Sequence, residues 1–389
     1  MRIAYVSMDS GVPVFGQKGC SIHVQETIHA LLKRGAQVEL FSPSWGGEVP
    51  ARLDGVHVHR LAPVPKVERT IHEQLCLGLN DQLRTALERE APFDLVYERY
   101  SLWSFAAMVY AREAGVPGLL EVNAPLIDEQ ATYRSLVDRA SAEGVARRVF
   151  EAASALVAVS EEVADYLRCN ADVSQKVHVV PNGVDPDRFP TRSERQRPEQ
   201  PFTVGFVGTL KAWHGLSVLV EAFARLHQQT PDSRLLIVGD GTERVALVND
   251  LASRGLLDTA QLTGAVPPSD VPGWLARMDA AVAPYPDLVG FYFSPLKVYE
   301  YMAAGLPVVG SRIGQLKAVI ADEVNGLLVN PGDVEALAAA LLRLKRDPAL
   351  LVRLGKAARA CVCQKHTWDA VVEQIIQVGS LEPALNFES

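Results

Sequence analysis

The run Gly290-Phe-Tyr-Phe-Ser-Pro-Leu-Lys-Val-Tyr-Glu-Tyr-Met-Ala-Ala-Gly305 holds the residues best suited to binding chemistry. Ser294 is placed to cap a helix whose first helical residue is Pro295, a position where the missing N–H costs nothing. The free N–H groups of Leu296 and Lys297, together with the Lys297 side chain, would then make an anion site from a helix end and a cation. Glu300 falls on the same helix, about a turn from its start. It can accept hydrogen bonds from the two hydroxyls of a ribose, as acidic residues do in dinucleotide folds. The competing role is an ordinary helix-surface glutamate, but a carboxylate beside Tyr299, Met302 and Ala303 on a mostly apolar segment is rarely idle.

Three further loops carry glycines just after apolar runs of strand length. In Phe206-Val-Gly-Thr-Leu-Lys-Ala-Trp-His-Gly215, Lys211 is a point charge suited to a diphosphate, inside a glycine frame at Gly208 and Gly215. Its bland alternative is a solvated loop lysine, and Trp213 reads as a packing residue. In Gly16-Gln-Lys-Gly-Cys-Ser-Ile-His23, Gly19 lets backbone approach a phosphate or sugar at a helix N-terminus, a signal that plain turn formation explains equally well. His23, one turn in, either donates to a ligand or packs. In Val238-Gly-Asp-Gly-Thr-Glu243 the glycines allow close approach, while Asp240 or Thr242 is expected to cap the next helix. Asp185-Pro-Asp187 looks like a metal-holding carboxylate pair, but it sits in the turn-rich run PNGVDPD and reads as hinge structure. No histidine or cysteine cluster offers another metal site, so phosphate neutralisation falls to Lys211, Lys297 and helix dipoles.

The elements that position these loops follow a regular alternation of strand-length and helix-length apolar segments, the pattern of a parallel sheet flanked by helices. Strands are expected at Arg2–Ser7, Gln37–Ser42, Val56–Leu61, Leu95–Glu98, Gly118–Glu121, Ala155–Ala158 and Val177–Val180. A helix over Ile22–Arg34 ends at Gly35. Thr191–Gln200, TRSERQRPEQ, is charged and proline-bearing, without an apolar anchor, and reads as a linker. The alternation then restarts with strands at Thr203–Val207, Arg234–Val238, Ala260–Thr263, Ala280–Ala283, Pro307–Gly310 and Gly326–Val329, and helices that include Leu216–Gln228 and Val334–Arg346. Two tandem units of this kind are expected to share a cleft at the carboxyl ends of their strands.

A length of 389 residues suits two domains, and 48% hydrophobic residues supply two cores. The net charge of −8 argues against general nucleic-acid binding. Five scattered cysteines make a poor disulfide framework and fit reduced thiols in a cytoplasmic protein. The first residues read as a buried strand rather than a signal peptide, and no apolar run has membrane-span length. Peripheral contact with the inner membrane face stays open.

The ordered segments resemble the family 4 glycosyltransferases, retaining enzymes of the GT-B fold: an α/β architecture of two Rossmann-like domains facing a central cleft. The likeness runs over nearly the whole chain. It is carried by the glycine loop around Gly19, VAVS at Val157–Ser160, VVPNGVD at Val179–Asp185, GFVGTLKAWHG at Gly205–Gly215, VGDG at Val238–Gly241 and SPLKVYEYMAAGLPVVG at Ser294–Gly310. The resemblance implies an acceptor domain over 1–190, joined by a C-terminal helix at 369–389, and a nucleotide-sugar donor domain over 191–368. It implies a UDP- or GDP-sugar donor, a hydroxylated acceptor, hexosyl transfer, and no cofactor or divalent metal. The resemblance also implies that the acceptor attacks from the face that the diphosphate leaves, and that a leaving phosphate oxygen takes its proton. Glu300 matches the second glutamate of the family's paired-glutamate motif. The first belongs eight positions earlier, where this chain has Tyr292. Thr209 stands at the family's arginine and His214 at its lysine; a subset of the family shares the SPLK and HG variants, which are therefore not read as inactivation. The stretch Leu120–Leu126 matches the family's segment near the reacting sugar. Asn123 and Glu121 are thus the candidates for contacts to sugar or acceptor hydroxyls, with Lys211 for the leaving group and His23 for the acceptor. Glu98 and Arg99 are expected to pair with each other. Val266, after the third strand of the second domain, is the candidate base contact, joined by Gly208, His214, Ser294 and Leu296 on the donor side. Alternatives of other kinds are a nucleotide-sugar epimerase of the same fold and a binding protein with a decayed site.

Overall fold

The computed structural model describes residues 1–169, 171–190, 201–288 and 290–381. The expected linker at 191–200 lies outside the described residues. The chain divides into two compact units. The first comprises Met1–Asn182, Tyr292–Ser294 and Trp368–Ser389, and the second Gly183–Phe291 and Pro295–Thr367.

In the first unit the elements are β1 (Arg2–Ser7), α1 (Gly19–Lys33), β2 (Gln37–Ser42), β3 (His57–Arg60), α2 (Arg69–Glu90), β4 (Leu95–Arg99) and α3 (Ala106–Ala114). They continue with β5 (Gly118–Val122), α4 (Leu126–Tyr133), α5 (Arg139–Ala152), β6 (Ala155–Ala158), α6 (Glu161–Arg168) and β7 (Val177–Val179). The second unit has β8 (Thr203–Val207), α7 (Leu216–Gln229), β9 (Arg234–Val238), α8 (Arg244–Ser253), β10 (Ala260–Leu262), α9 (Val271–Leu275) and β11 (Ala280–Ala283). After these come α10 (Leu296–Ala303), β12 (Val308–Ser311), α11 (Leu316–Val319), β13 (Leu327–Val329), α12 (Val334–Arg346) and α13 (Pro348–Lys365). The last helix, α14 (Trp368–Leu381), returns to the first unit.

The first sheet has the order β3-β2-β1-β4-β5-β6-β7 and the second β10-β9-β8-β11-β12-β13, with the strand pairs parallel. Both orders reverse direction beside their first strand, between β1 and β4 in one and between β8 and β11 in the other. At such a switch point the flanking connections leave toward opposite sides, and a crevice opens at the carboxyl ends of the strands. Burial on both faces explains why these strands read as continuous apolar runs: every residue of β6 and β11 is buried.

Side-chain caps define several helix starts: Asp138 accepts from Ser141 N, Ser160 from Val163 N, Asp333 from Ala336 N and Asp347 from Leu350 N. Ser160, part of the VAVS run, is therefore a capping residue. The division between units comes at Asn182/Gly183, earlier than the charged run suggests. Packing explains this: Val184 bridges to Thr367, Phe189 is buried, and Arg359 donates to the carbonyls of Pro186 and Phe189. Asp185 caps the short turn Pro186–Arg188 by accepting from Asp187 N.

Trp368 joins α14 to the first unit: it is buried and meets the His23 ring edge-on with centroids 5.1 Å apart. Trp368→Ala is expected to destabilise the first unit by about 3–5 kcal/mol, the cost of an unfilled aromatic site. Urea unfolding followed by circular dichroism checks this, and a loss below about 1 kcal/mol would mean that α14 docks without it.

Candidate functional site

Within the second unit, the polar residues gather at the switch point between β8 and β11. Gly208 follows β8 with φ +144°, and a Cβ there would come within 3.0 Å of Lys297 Nζ. Gly239, after β9, packs so closely that a Cβ would lie 2.1 Å from the Gly208 carbonyl oxygen. Gly241 lies equally tight on Leu210, whose amide donates to the Asp240 carbonyl. The VGDG turn therefore buttresses the Gly208 loop. Its expected capping role is not realised: α8 starts after Glu243 without a side-chain cap, and Asp240 accepts from Gly241 N instead.

Lys297 enters from the first turn of α10. Its Nζ is buried without a hydrogen-bond partner, 4.3 Å from the Phe206 ring centroid and 5.5 Å from that of Tyr285. Desolvation pushes its pKa down to about 7, with Glu300 one turn on pulling the other way. Cation–π attraction of about 0.5–2 kcal/mol to each ring offsets only part of that desolvation.

His214 stands beside this group. Its Nδ1 lies 2.6 Å from the Thr209 carbonyl oxygen, so Nδ1 carries the proton and Nε2 is left as an acceptor. Burial first, then the Lys297 and Lys211 charges, lower its pKa to about 3. The imidazole is neutral at physiological pH and suits a hydroxyl or amide donor rather than a phosphate. Lys211 lies in the same loop with its Nζ 5.8 Å from the Trp213 ring centroid. Gly215 closes the loop with φ +65°, where a Cβ would strike the Pro284 carbonyl oxygen at 1.8 Å.

The start of α10 differs from the sequence expectation. Leu296 is its first helical residue and Pro295 occupies the N-cap with φ −79°, ψ 94°, without a side-chain bond. Ser294 does not cap it: Ser294 belongs to the first unit, where its carbonyl accepts from Asn182 Nδ2 at 3.3 Å and its Oγ is buried without a partner. The φ of Pro295 would suit a helix, but its ψ is extended, so it stands outside the helix and takes the cap position itself. The uncapped α10 amides remain available to an anion. Glu300 lies in the second turn of α10. Val266 follows β10, two strands from β8, and no described contact joins it to Lys297.

Within the first unit, Glu121 at the end of β5 organises a second polar group. It is buried, accepts from Tyr97 OH and from Asn123 Nδ2 at 2.8 Å, and lies 3.5 Å from His23 Nε2. His23 is packed between Glu121 and Trp368, and burial lowers its pKa, so it acts as a neutral packing and positioning residue. Asn123 keeps a buried Oδ1 without a partner. Gly19 is the first residue of α1, and the preceding Lys18 gives no side-chain cap. Tyr292 donates to Glu129 at 2.9 Å, and its carbonyl accepts from Ser160.

Glu98 and Arg99 do not pair. Successive strand residues face opposite sides, so Glu98 turns to Ser104 while Arg99 lies on the face of Tyr97. Burial pushes the Glu98 pKa up to about 7. Sequence reasoning passed over Phe206 and Tyr285 as the rings that cradle Lys297. Tyr285, two residues past β11, occupies the kind of strand-end position that could have flagged it. Among the described residues no group of three or more His, Cys, Asp or Glu side chains could hold a metal ion. No described helix is long and apolar enough to cross a membrane.

The chain resembles sucrose-phosphate synthase from Thermosynechococcus elongatus with TM-score 0.75 at 23% identity, covering 97% of this chain and 98% of that one. It resembles Anabaena HepE in complex with UDP with TM-score 0.72 at 20% identity, covering 98% and 100%. The fold is therefore GT-B, the architecture of a class of sugar transferases. Residues 18–188 match the model Glycosyltransferase Family 4, and residues 201–347 match Glycosyl transferases group 1. The D-inositol 3-phosphate glycosyltransferase of Salinispora arenicola is 28% identical over 92% of this chain and 86% of its own length. The chain belongs to the family 4 glycosyltransferases.

Lys297 supplies a test of the site's electrostatics. Its folded pKa of about 7 lies below the ordinary lysine value of 10.5, so between these the unfolded chain binds more protons. Stability therefore rises with pH through that window, by a total on the order of a few kcal/mol. Lys297→Met should remove this dependence, making the variant's advantage over wild type largest below pH 7 and smaller by pH 9. Urea midpoints across that range report it; parallel curves would contradict a desolvated ammonium.

Proposed function

We propose that this glycosyltransferase is a retaining, metal-independent hexosyltransferase that takes a UDP- or GDP-sugar and glycosylates a hydroxyl of a glycan, lipid-linked or small-molecule acceptor. The observation that carries the reading is the buried, unpartnered Lys297 ammonium beside Gly208 and the uncapped start of α10. A diphosphate at this point gains a cation and free helix amides together. Lys211 adds a second positive charge from the Gly208 loop. The presence of UDP and UDP-glucose in structures of the similar HepE supports a nucleotide-sugar, with uridine as the first base to try.

In this mechanism Lys297, Lys211 and the α10 amides stabilise negative charge on the leaving diphosphate. The acceptor hydroxyl attacks from the face that the diphosphate leaves, and a leaving phosphate oxygen receives its proton. Glu300 accepts from the ribose hydroxyls. Neutral His214 accepts from a sugar hydroxyl through Nε2. Asn123, fixed by Glu121, meets sugar or acceptor hydroxyls on the first unit. The protein's contribution is positioning and charge stabilisation, without a covalent protein intermediate.

Thermal-shift screening against UDP, GDP, ADP and their sugars tests the reading, since a ligand at a hundred times its Kd stabilises by about 2.7 kcal/mol. One diphosphate should shift the transition with or without EDTA, and Lys297→Ala or Lys211→Ala should weaken binding roughly tenfold or more. A shift that appears only with a divalent ion would remove metal independence from the proposal. Release of an altered free nucleotide-sugar, with no sugar on any acceptor, would favour an epimerase. Binding without turnover across a broad acceptor panel would favour a decayed site.

A further inference from the structure

At the β1/β4 switch point of the first unit, one register row runs Ser7–Arg99–Glu121 across β1, β4 and β5. The chemistry of this row is unbalanced. Arg99 Nε and Ser7 Oγ are buried without hydrogen-bond partners, and so is Asn123 Oδ1 just beyond the row. Arg99 forms no ion pair among the described residues. Glu121 is engaged elsewhere, by Tyr97, Asn123 and His23. Glu98 faces away toward Ser104. In a chain of net charge −8, with 46 acidic residues against 38 lysines and arginines, a partly buried arginine without a carboxylate is unusual.

Position argues against simple packing. Arg99 is the last residue of β4, at the strand end where this topology opens its crevice. Arg99 shares the strand face of Tyr97, two residues back on β4, and its register partners are Ser7 on β1 and Glu121 on β5. The amino end of α1 lies on the connection from β1, and Lys18 leaves it without a side-chain cap. A guanidinium and a serine hydroxyl at paired register positions form a donor-rich set, which fits an oxyanion and does not fit a neutral sugar face.

We propose that Arg99 anchors an anionic group of the acceptor: a phosphate monoester or carboxylate docks on its guanidinium and the Ser7 hydroxyl. This rests on the reading of the first unit as the acceptor side, and it narrows the acceptor class to molecules that carry such a group beside the reacting hydroxyl. Arg99 thereby sets acceptor specificity, while the Lys297 group serves the donor phosphates.

Calorimetric titration of the full chain with inorganic phosphate and, separately, acetate tests this, with saturating UDP or GDP present to fill the nucleotide subsite. Wild type should bind one of the two anions, and which one binds distinguishes phosphate from carboxylate acceptors. Arg99→Gln should weaken that binding on the order of tenfold to a hundredfold, with Arg99→Lys between, while nucleotide affinity changes by less than about twofold. A merely structural arginine would lower the urea midpoint and leave anion affinity unchanged, which overturns the proposal. So does a wild type that binds neither anion, or an anion that competes with UDP and falls with it in Arg99→Gln. If Arg99→Gln does not fold, Arg99→Lys gives the same reading through the loss of the planar fork. Failure of UDP and GDP to bind wild type would instead strike the donor reading and leave the anion arm interpretable.

Discussion

A lysine ammonium held away from water without a counter-charge is the constraint on which the second unit's site depends. Phe206 and Tyr285 offer Lys297 the faces of two rings, but ring quadrupoles return less than the hydration that burial removes. The group consequently sits near the edge of losing its proton at neutral pH. On the proposed reading, an arriving diphosphate would restore what burial took away, and the energy of binding would be concentrated where negative charge develops during transfer. The local architecture serves that state. Gly208 leaves room for Nζ, Gly239 and Gly241 press the Gly208 loop into place, and Gly215 turns it over the Pro284 carbonyl.

The first unit uses the same topology with a different balance. Its switch point also lies beside its first strand, but the central carboxylate, Glu121, is saturated with neutral and polar partners. His23 stays uncharged between Glu121 and Trp368, so α14 is coupled through one aromatic contact to the group that orients Asn123. The unsatisfied donors sit one and two strands over, Arg99 on β4 and Ser7 on β1. Each unit thus carries at its own switch point a cation without an ion-pair partner among the described residues, one a point charge and one a planar fork.

Much of this was readable from residue order because parallel strands buried on both faces announce themselves. Arg2–Ser7, Gln37–Ser42, Ala155–Ala158, Thr203–Val207, Arg234–Val238 and Ala280–Ala283 have the ends expected of them. Lys297 and the Gly208 loop were legible for a related reason, since glycines and cations after such strands have few structural uses. What escaped was set by side-chain direction and packing. Adjacent residues on a strand suggest a Glu98–Arg99 pair, yet alternation sends them to opposite faces. Ser294 before Pro295 has the composition of a cap, but its carbonyl is taken by Asn182 and the helix begins one residue later. Asp240 and Thr242 likewise look like caps, whereas the Gly239–Gly241 turn is spent against Leu210. The aromatic cradle of Lys297 joins residues from β8 and the loop after β11, a meeting that strand order creates and local sequence does not.

The state of the Lys297 ammonium is the most direct measure of this account. Heteronuclear NMR of lysine labelled at the side chain, with Lys297→Met used for assignment, reads its titration with and without nucleoside diphosphate. The account predicts a midpoint near 7 in the free protein and a rise of at least one pH unit on binding. An ordinary lysine midpoint in the free protein, or one that nucleotide leaves unmoved, would contradict it.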